Sequence, residues 1–158
     1  MMVTTGDGVV LPPVQFDPVP NCHRKQMEAR MGSTAAGDEA WELARELVRI
    51  DSSDPGAYEG QIERFIKGWL QERIAALPAE LASRITIDEL EALPGRTELM
   101  ATIPGTGTEP RLVYICHMDT VTLGDGWDDG IDPLGGLIRD DRLYGRGSCD
   151  MKGGLASA

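Results

Sequence analysis

Cysteine, positive charge and long apolar runs are all scarce in this chain of 158 residues, and each scarcity excludes a class of protein. Three cysteines, Cys22, Cys116 and Cys149, do not suggest the disulfide framework of a small secreted domain, so a reducing cytoplasm is the expected location. No run of about 18 apolar residues is present, which argues against a membrane span. The N-terminal segment also lacks the basic and apolar regions of a secretory signal.

Acidic residues outnumber basic ones by 26 to 15, which gives a formal net charge of −11. Such a surface repels phosphate backbones and anionic lipids, so nucleic-acid and membrane partners are not expected. The acidity itself needs no explanation beyond solubility. With 41% hydrophobic residues, the chain has enough apolar side chains for a globular domain with a core.

The predicted organisation is a flexible tail over residues 1–37, rich in proline and glycine, followed by one domain over residues 38–158. Apolar residues at helical spacing predict a helix over Glu39–Ile50, with Asp38 as its N-cap. A second helix is predicted over Tyr58–Leu77, and shorter strands after it near Ile85–Ile87 and Leu99–Ile103.

Leu112–Cys116 is apolar without alternation, which predicts a strand buried on both faces, and His117 follows it directly. A hairpin is predicted with Leu137–Arg139 and Arg142–Tyr144 as its two arms, and a helix is expected from Met151 onward. Helices followed by strands and a polar loop indicate an α/β layer fold with a central sheet. In such sheets the ligand crevice lies at the carboxyl ends of the strands, where this reading places His117.

His117 and Asp119 form a His-x-Asp unit that could serve a metal. A metal-binding imidazole is neutral and is held through its other ring nitrogen, and residues i and i+2 of an extended segment project to the same side. Asp119 could therefore orient the ring of His117. Taken alone, the tripeptide is weak evidence for a metal, because a lone His-x-Asp unit is most often a structural hydrogen-bonded pair.

Asp150 lies in a glycine-rich bend, Gly145–Asp150, whose glycines allow close backbone approach. A carboxylate there can bind one metal ion or bridge two. The alternatives are an N-cap for the following helix and anion binding at the helix start, although the segment matches neither the dinucleotide fingerprint nor the P-loop. Cys116 and Cys149, which precede His117 and Asp150, are interpreted as small buried hydrophobic residues and not as ligands.

The two motifs together resemble the zinc-dependent aminoacylase family of metallopeptidases, which includes acetylornithine deacetylase, succinyl-diaminopimelate desuccinylase and glutamate carboxypeptidase. His117 and Asp150 lie 33 residues apart and in the order that this family shows. The matching residues are Val113–Val121, Trp127, Asp132–Gly136 and Arg142–Gly154. The resemblance extends over about Asp38 to Ala158.

The resemblance implies the N-terminal part of a zinc-exopeptidase-like catalytic domain, with a central mixed sheet flanked by helices. It implies that His117 binds one zinc ion, that Asp150 bridges two, and that Asp119 orients His117 and supports catalysis. A cis peptide after Asp150 is implied as well, in a turn supported by Lys152, Gly153 and Gly154. The cofactor would be Zn²⁺, two per complete site, with Co²⁺ as a substitute.

By the same resemblance, the full-length enzyme is expected to hydrolyse the amide bond of an N-acyl amino acid or a short peptide, and to be a homodimer. A Glu-Glu pair, a further acidic ligand and a late histidine of the family have no counterpart here, so the chain is expected to be an inactive fragment. Two alternatives stay open: a non-catalytic degenerate module that retains the motifs, and a dipeptidase or carboxypeptidase within the family.

Overall fold

A computed structural model describes residues 35–107 and 112–158, and this part of the chain has the mixed α/β composition that the sequence predicts. The helices are α1 (Ala35–Arg49), α2 (Gly60–Ala75), α3 (Ala79–Ala82) and α4 (Gly153–Ser157). The strands are β1 (Thr86–Leu93), β2 (Arg96–Thr102), β3 (Leu137–Arg139) and β4 (Arg142–Tyr144). Among the described residues, no helix has both the length and the apolar character that crossing a bilayer requires.

Helix α1 begins at Ala35, before the predicted start at Glu39. Asp38 therefore lies in the first turn and is not the N-cap, so that prediction is wrong. The physical reason is that Ala35 and Ala36 are strong helix formers, which extend the helix through Gly37. The predicted tail thus loses its last three residues to α1, and residues 1–34 lie outside the described part.

The core is built where α1 and α2 meet, around Leu47, Ile50 and Ile62, whose exposed fractions are 0%, 9% and 0%. Three residues from distant segments also pack on this core. Met118 is the neighbour of His117, and Leu155 and Ala156 lie in α4. The core therefore fixes both segments that carry the predicted site residues.

Strands β1 and β2 form one antiparallel hairpin, and β3 and β4 form another. Between β3 and β4, Asp140 and Asp141 adopt positive φ values of 53° and 55°, which the tightest hairpin turns require and which aspartate tolerates. The predicted hairpin at Asp140–Asp141 is confirmed. The described residues contain two separate two-stranded sheets, and no central sheet joins them.

The predicted buried strand over Leu112–Cys116 is wrong for the described structure. The segment pairs with no other described strand, and its first four side chains are 62–85% exposed. A strand buried on both faces needs paired strands at its edges and elements packed over its faces, and its own sequence encodes only the need for burial. The described residues do not supply those neighbours.

Arg96, at the start of β2, ties the first hairpin to the loop between α1 and α2. Its guanidinium bonds to both carboxylate oxygens of Glu59, and its Nη1 lies 2.8 Å from Oδ2 of Asp54. It also stacks over the ring of Tyr58, with its Cζ 5.2 Å from the ring centroid. Asp54 belongs to the loop that contacts the predicted site, so this ion-pair cluster also holds that loop in place.

Glu59 gives this cluster a pH dependence. Burial alone would raise the pKa of Glu59, but hydrogen bonds from Arg96 and from the backbone, together with the Arg96 charge, lower it overall. A lowered folded-state pKa stabilises the fold above the unfolded value of 4.5 and stops doing so as the pH falls through the folded value. We expect Glu59→Gln to destabilise the chain at pH 7 and to lose that effect progressively below about pH 4.5.

Urea denaturation of wild type and Glu59→Gln between pH 7 and pH 3 measures this difference. Glu98→Gln, at an exposed position of β2, is the matched control and should show no such convergence. A stability difference that stays constant with pH would show that the Glu59 carboxylate does not act as described.

Candidate metal site

His117 and Asp150 lie in contact although 33 residues separate them. Nε2 of His117 is 2.8 Å from Oδ1 of Asp150. The other ring nitrogen, Nδ1, lies 3.0 Å from the backbone oxygen of Asp119 and 3.3 Å from its Oδ1. The structure therefore brings together the three residues that the sequence analysis selected, and it places Asp119 on the side of the ring that a positioning residue would occupy.

The surroundings of His117 favour its protonated form. The hydrogen bond with Asp150 raises the pKa of His117, partial burial opposes this, and the backbone oxygen and charge of Asp119 add to the increase. With acceptors at both nitrogens, the ring can donate from both as an imidazolium. When Nδ1 keeps its proton and donates a hydrogen bond to Asp119, Nε2 is the ring atom that could bind a metal together with Asp150.

The donor set of the pair fits zinc. An imidazole nitrogen and a carboxylate oxygen are both common zinc ligands, with bonds of about 2.0–2.2 Å that place two tetrahedral ligands roughly 3.3 Å apart. The distance of 2.8 Å between Nε2 of His117 and Oδ1 of Asp150 would have to increase only slightly to admit a zinc ion. The Asp150 side chain is 85% exposed and therefore free to move. Within residues 35–107 and 112–158, no three or more His, Cys, Asp or Glu side chains form a group that could hold a metal.

The loop after α1 holds the segment that carries His117. Oγ of Ser52 donates to the backbone oxygen of Met118 at 2.8 Å, and the backbone oxygen of Ser52 accepts from the N–H of Thr120 at 3.0 Å. The N–H of Asp54 in turn donates to the oxygen of Thr120 at 2.8 Å. These bonds fix the backbone on both sides of Asp119. The sequence gave no signal for Ser52, because the residues that it contacts lie 66 or more positions away.

Replacing Ser52 by alanine tests this support. Ser52 is fully buried, so the substitution leaves the oxygen of Met118 without its donor, and we expect a loss of about 1–3 kcal/mol in unfolding free energy. The matched control is Ser83→Ala, because Oγ of Ser83 also donates to a backbone oxygen but is exposed. Urea denaturation should show a loss of less than about 0.5 kcal/mol for the control. Equal losses would contradict the assigned role of Ser52.

Asp150 is presented by a tight turn over Ser148–Lys152. Asp150 and Met151 have non-helical dihedral angles there, and the peptide bond between them is cis, as the resemblance implies. The backbone N–H of His117 faces Sδ of Met151 at 3.3 Å. Helix α4 starts at Gly153, two residues later than predicted, because the turn occupies the preceding positions.

Lys152 connects this turn to the residue that directly follows α1. Its side chain is 1% exposed, and Nζ donates to the backbone oxygen of Ile50 at 2.7 Å. Burial lowers the pKa of Lys152 to about 8, while the charge of Asp51 acts in the opposite direction. The predicted supporting role of Lys152 is confirmed in this sense: its side chain connects the turn after Asp150 to the end of the first helix.

A cleft of about 270 Å³ opens beside His117 and Asp150. Arg146 and Cys149 also line it. Cys149 is exposed, so its prediction as a buried hydrophobic residue is wrong, because the turn directs this position outward. Cys116 is only half-buried, because the predicted strand over Leu112–Cys116 does not form in the described structure. Sequence reasoning missed Arg146, because its side chain donates to the backbone oxygen of Leu123, and an acceptor of this kind carries no side-chain signal.

Comparison with known proteins connects this geometry to a family. Residues 113–158 match peptidase family M20/M25/M40. The chain is 36% identical over 128 residues to a succinyl-diaminopimelate desuccinylase of Gluconacetobacter diazotrophicus, which covers 78% of this chain and 29% of that protein. A protein of the same name from Rhodospirillum centenum is 35% identical over 118 residues, covering 73% and 27%.

A third relative of that name, from Gluconobacter oxydans, is 51% identical over 47 residues, which cover 30% of this chain and 12% of that protein. The chain thus spans about three tenths of the length of the first two curated relatives. No solved structure matches it.

Proposed function

We propose that the complete protein is a metal-dependent hydrolase of amide bonds, in keeping with the match of residues 113–158 to peptidase family M20/M25/M40. The observation that carries the proposal is the contact between Nε2 of His117 and Oδ1 of Asp150, with Asp119 against the opposite nitrogen. An imidazole and a carboxylate from distant segments meet at the wall of an open cleft, where a substrate has access.

We propose two zinc ions as the cofactor, with His117 as a ligand of one and Asp150 as a ligand shared by both. Bound zinc would polarise the amide carbonyl and lower the pKa of water towards 7. The remaining ligands and the general base are proposed to come from parts of the complete protein that correspond to the unmatched length of the relatives.

The residues of this chain prepare the site in three ways. Asp119 places its backbone oxygen against Nδ1 of His117, which would favour a proton there and leave Nε2 for a metal. The bonds from Ser52 and Thr120 hold the backbone around Asp119. Lys152 holds the turn that presents Asp150. Each of these contacts reduces the reorganisation that metal binding would otherwise require.

The proposed substrate follows from the three relatives named above, each of which is a succinyl-diaminopimelate desuccinylase. We propose that the complete protein hydrolyses the succinyl amide of N-succinyl-diaminopimelate to succinate and diaminopimelate. This substrate is an N-acyl amino acid, the class that the sequence analysis predicts. The cytoplasmic location and the homodimer stay predictions.

The test is a substrate panel with the zinc-loaded protein encoded by the complete open reading frame. N-succinyl-diaminopimelate, N-acetylornithine and a dipeptide are compared by the kcat/KM of amine release. The proposal expects the succinyl compound to be preferred. A preference for the dipeptide would replace the deacylase by a peptidase of the same family, and hydrolysis of none of the three would contradict the proposal.

The rival function is a non-catalytic module that retains both motifs. Reading the gene beyond the codon for Ala158 discriminates the two. An open frame that continues with a Glu-Glu pair supports the hydrolase, whereas a stop codon directly after Ala158 supports the module.

A further inference from the structure

The cleft beside His117 and Asp150 carries mostly negative charge. Asp119 and Asp150 both line it, and the chain as a whole has a net charge of −11. Among the described residues that line the cleft, Arg146 carries the only permanently positive side chain. The proposed zinc ions would offset these aspartates, and Arg146 is the cation with which the chain itself could bind a carboxylate of the substrate.

Arg146 is held rigidly at the cleft wall. Its backbone N–H donates to the oxygen of Pro133 at 2.7 Å, and its Nη2 donates to the oxygen of Leu123, also at 2.7 Å. The guanidinium stacks over the ring of Trp127 at 5.1 Å, and the indole N–H donates to the same Leu123 oxygen. The side chain therefore loses little further freedom when it binds a ligand.

The guanidinium nevertheless keeps unused donors. Nε of Arg146 is buried and has no acceptor among the described residues, and Nη2 is its only side-chain nitrogen with a hydrogen bond there. Oγ1 of Thr120, a second cleft-lining residue that is 4% exposed, likewise has no partner in the described part. Buried polar atoms in native proteins almost always have partners, so these two atoms on residues of one cleft need a polar ligand or an ordered water to satisfy them.

We propose that Arg146 is a specificity-determining residue that binds a carboxylate of the substrate, with Thr120 beside it. This inference rests on the proposed function and names the acidic substrate class that the same site would select. Planar guanidinium groups are well suited to carboxylates, and a fixed orientation favours one carboxylate position over others. In N-succinyl-diaminopimelate the carboxylate could belong to the acyl side or to the amine side.

The kinetic test compares Arg146→Met with wild type in the complete zinc-loaded protein. The substrates are the N-succinyl compound, its N-butanoyl isostere without the acyl carboxylate, and an analogue with the amine-side α-carboxylate converted to the amide. We expect Arg146→Met to raise KM roughly 10- to 100-fold for substrates that keep the recognised carboxylate and to leave the analogue that lacks it nearly unchanged. Arg146→Lys should recover part of the loss because it keeps the charge.

A purely structural clamp predicts a different outcome. If Arg146 only fastened the loop at Leu123, Arg146→Met would impair all three substrates equally, and this result would overturn the inference while leaving the proposed function intact. The identity of the analogue that escapes the loss tells which side of the substrate carries the carboxylate.

A binding test separates the inference from the proposed function. In the metal-free protein, succinate should shift the ¹⁵N resonance of Nε–H of Arg146, while the neutral isostere succinamide should not. A shift without turnover of any substrate would contradict the proposed function and support the inference. Equal effects of succinate and succinamide, or none from either, would overturn the inference.

Discussion

Replacing His117 by alanine in the complete zinc-loaded protein is expected to lower kcat/KM by more than roughly 100-fold, because losing a metal's outer-sphere partner already costs about 10- to 100-fold. The reason is geometric. His117 faces Asp150 through Nε2 and Asp119 through Nδ1, so its removal takes one ligand from the proposed zinc and leaves the positioning carboxylate without a target.

A graded series makes this prediction specific. Asp119→Asn should fall in the range of about 10- to 100-fold, since it weakens the orientation of His117 without removing a ligand. His23→Ala, at the other histidine of the chain, and Asp129→Asn, at an exposed loop position outside the cleft lining, are the matched controls and should retain activity. Steady-state kinetics and zinc content are measured for each variant. Full activity of His117→Ala would contradict the site.

Gly147→Ala is expected to destabilise the chain by roughly 2–4 kcal/mol, through two separate costs. Gly147 has a φ of 80°, which L-residues rarely adopt. An added Cβ would also lie 2.6 Å from Cγ2 of Thr120 and 3.1 Å from Cδ of Lys152. Both neighbours are buried, so neither can move away without disturbing the segment that carries Asp119 or the turn that carries Asp150.

Gly126 supplies a matched control for this substitution. Its φ is 77°, close to that of Gly147, but a Cβ there would meet nothing within 4 Å. Gly126→Ala should therefore show only the backbone cost of about 1–2 kcal/mol. Urea denaturation followed by tryptophan fluorescence measures both variants. If the two lost the same free energy, the close packing of Thr120 and Lys152 around Gly147 would be disproved.

Local signals in the sequence predicted local structure well. The first two helices follow from apolar spacing, and the β3–β4 hairpin follows from Asp140–Asp141, because each of these patterns acts over a few residues. The contact between His117 and Asp150 was predictable for another reason: both residues lie in motifs that together resemble the zinc-dependent aminoacylase family, and that resemblance implied a shared site. In each case the deciding information lies within the motif or the element itself.

Other features depend on partners that the local sequence does not specify. Leu112–Cys116 has the composition of a buried strand, but strand pairing is decided by distant segments, and the described residues contain none that pairs with it. The roles of Ser52 and Arg146 could not be predicted for a similar reason. Their acceptors, the backbone oxygens of Met118 and Leu123, lie 66 and 23 residues away and carry no side-chain signal.

The most direct measurement of the central claim is zinc binding by the complete protein, with X-ray absorption spectroscopy of wild type, His117→Ala and Asp150→Ala. A shared zinc site at His117 and Asp150 predicts that the first substitution removes one nitrogen ligand from the zinc spectrum, and that each substitution weakens zinc affinity. Unchanged zinc coordination and affinity in both variants would show that these two side chains do not share a metal ion.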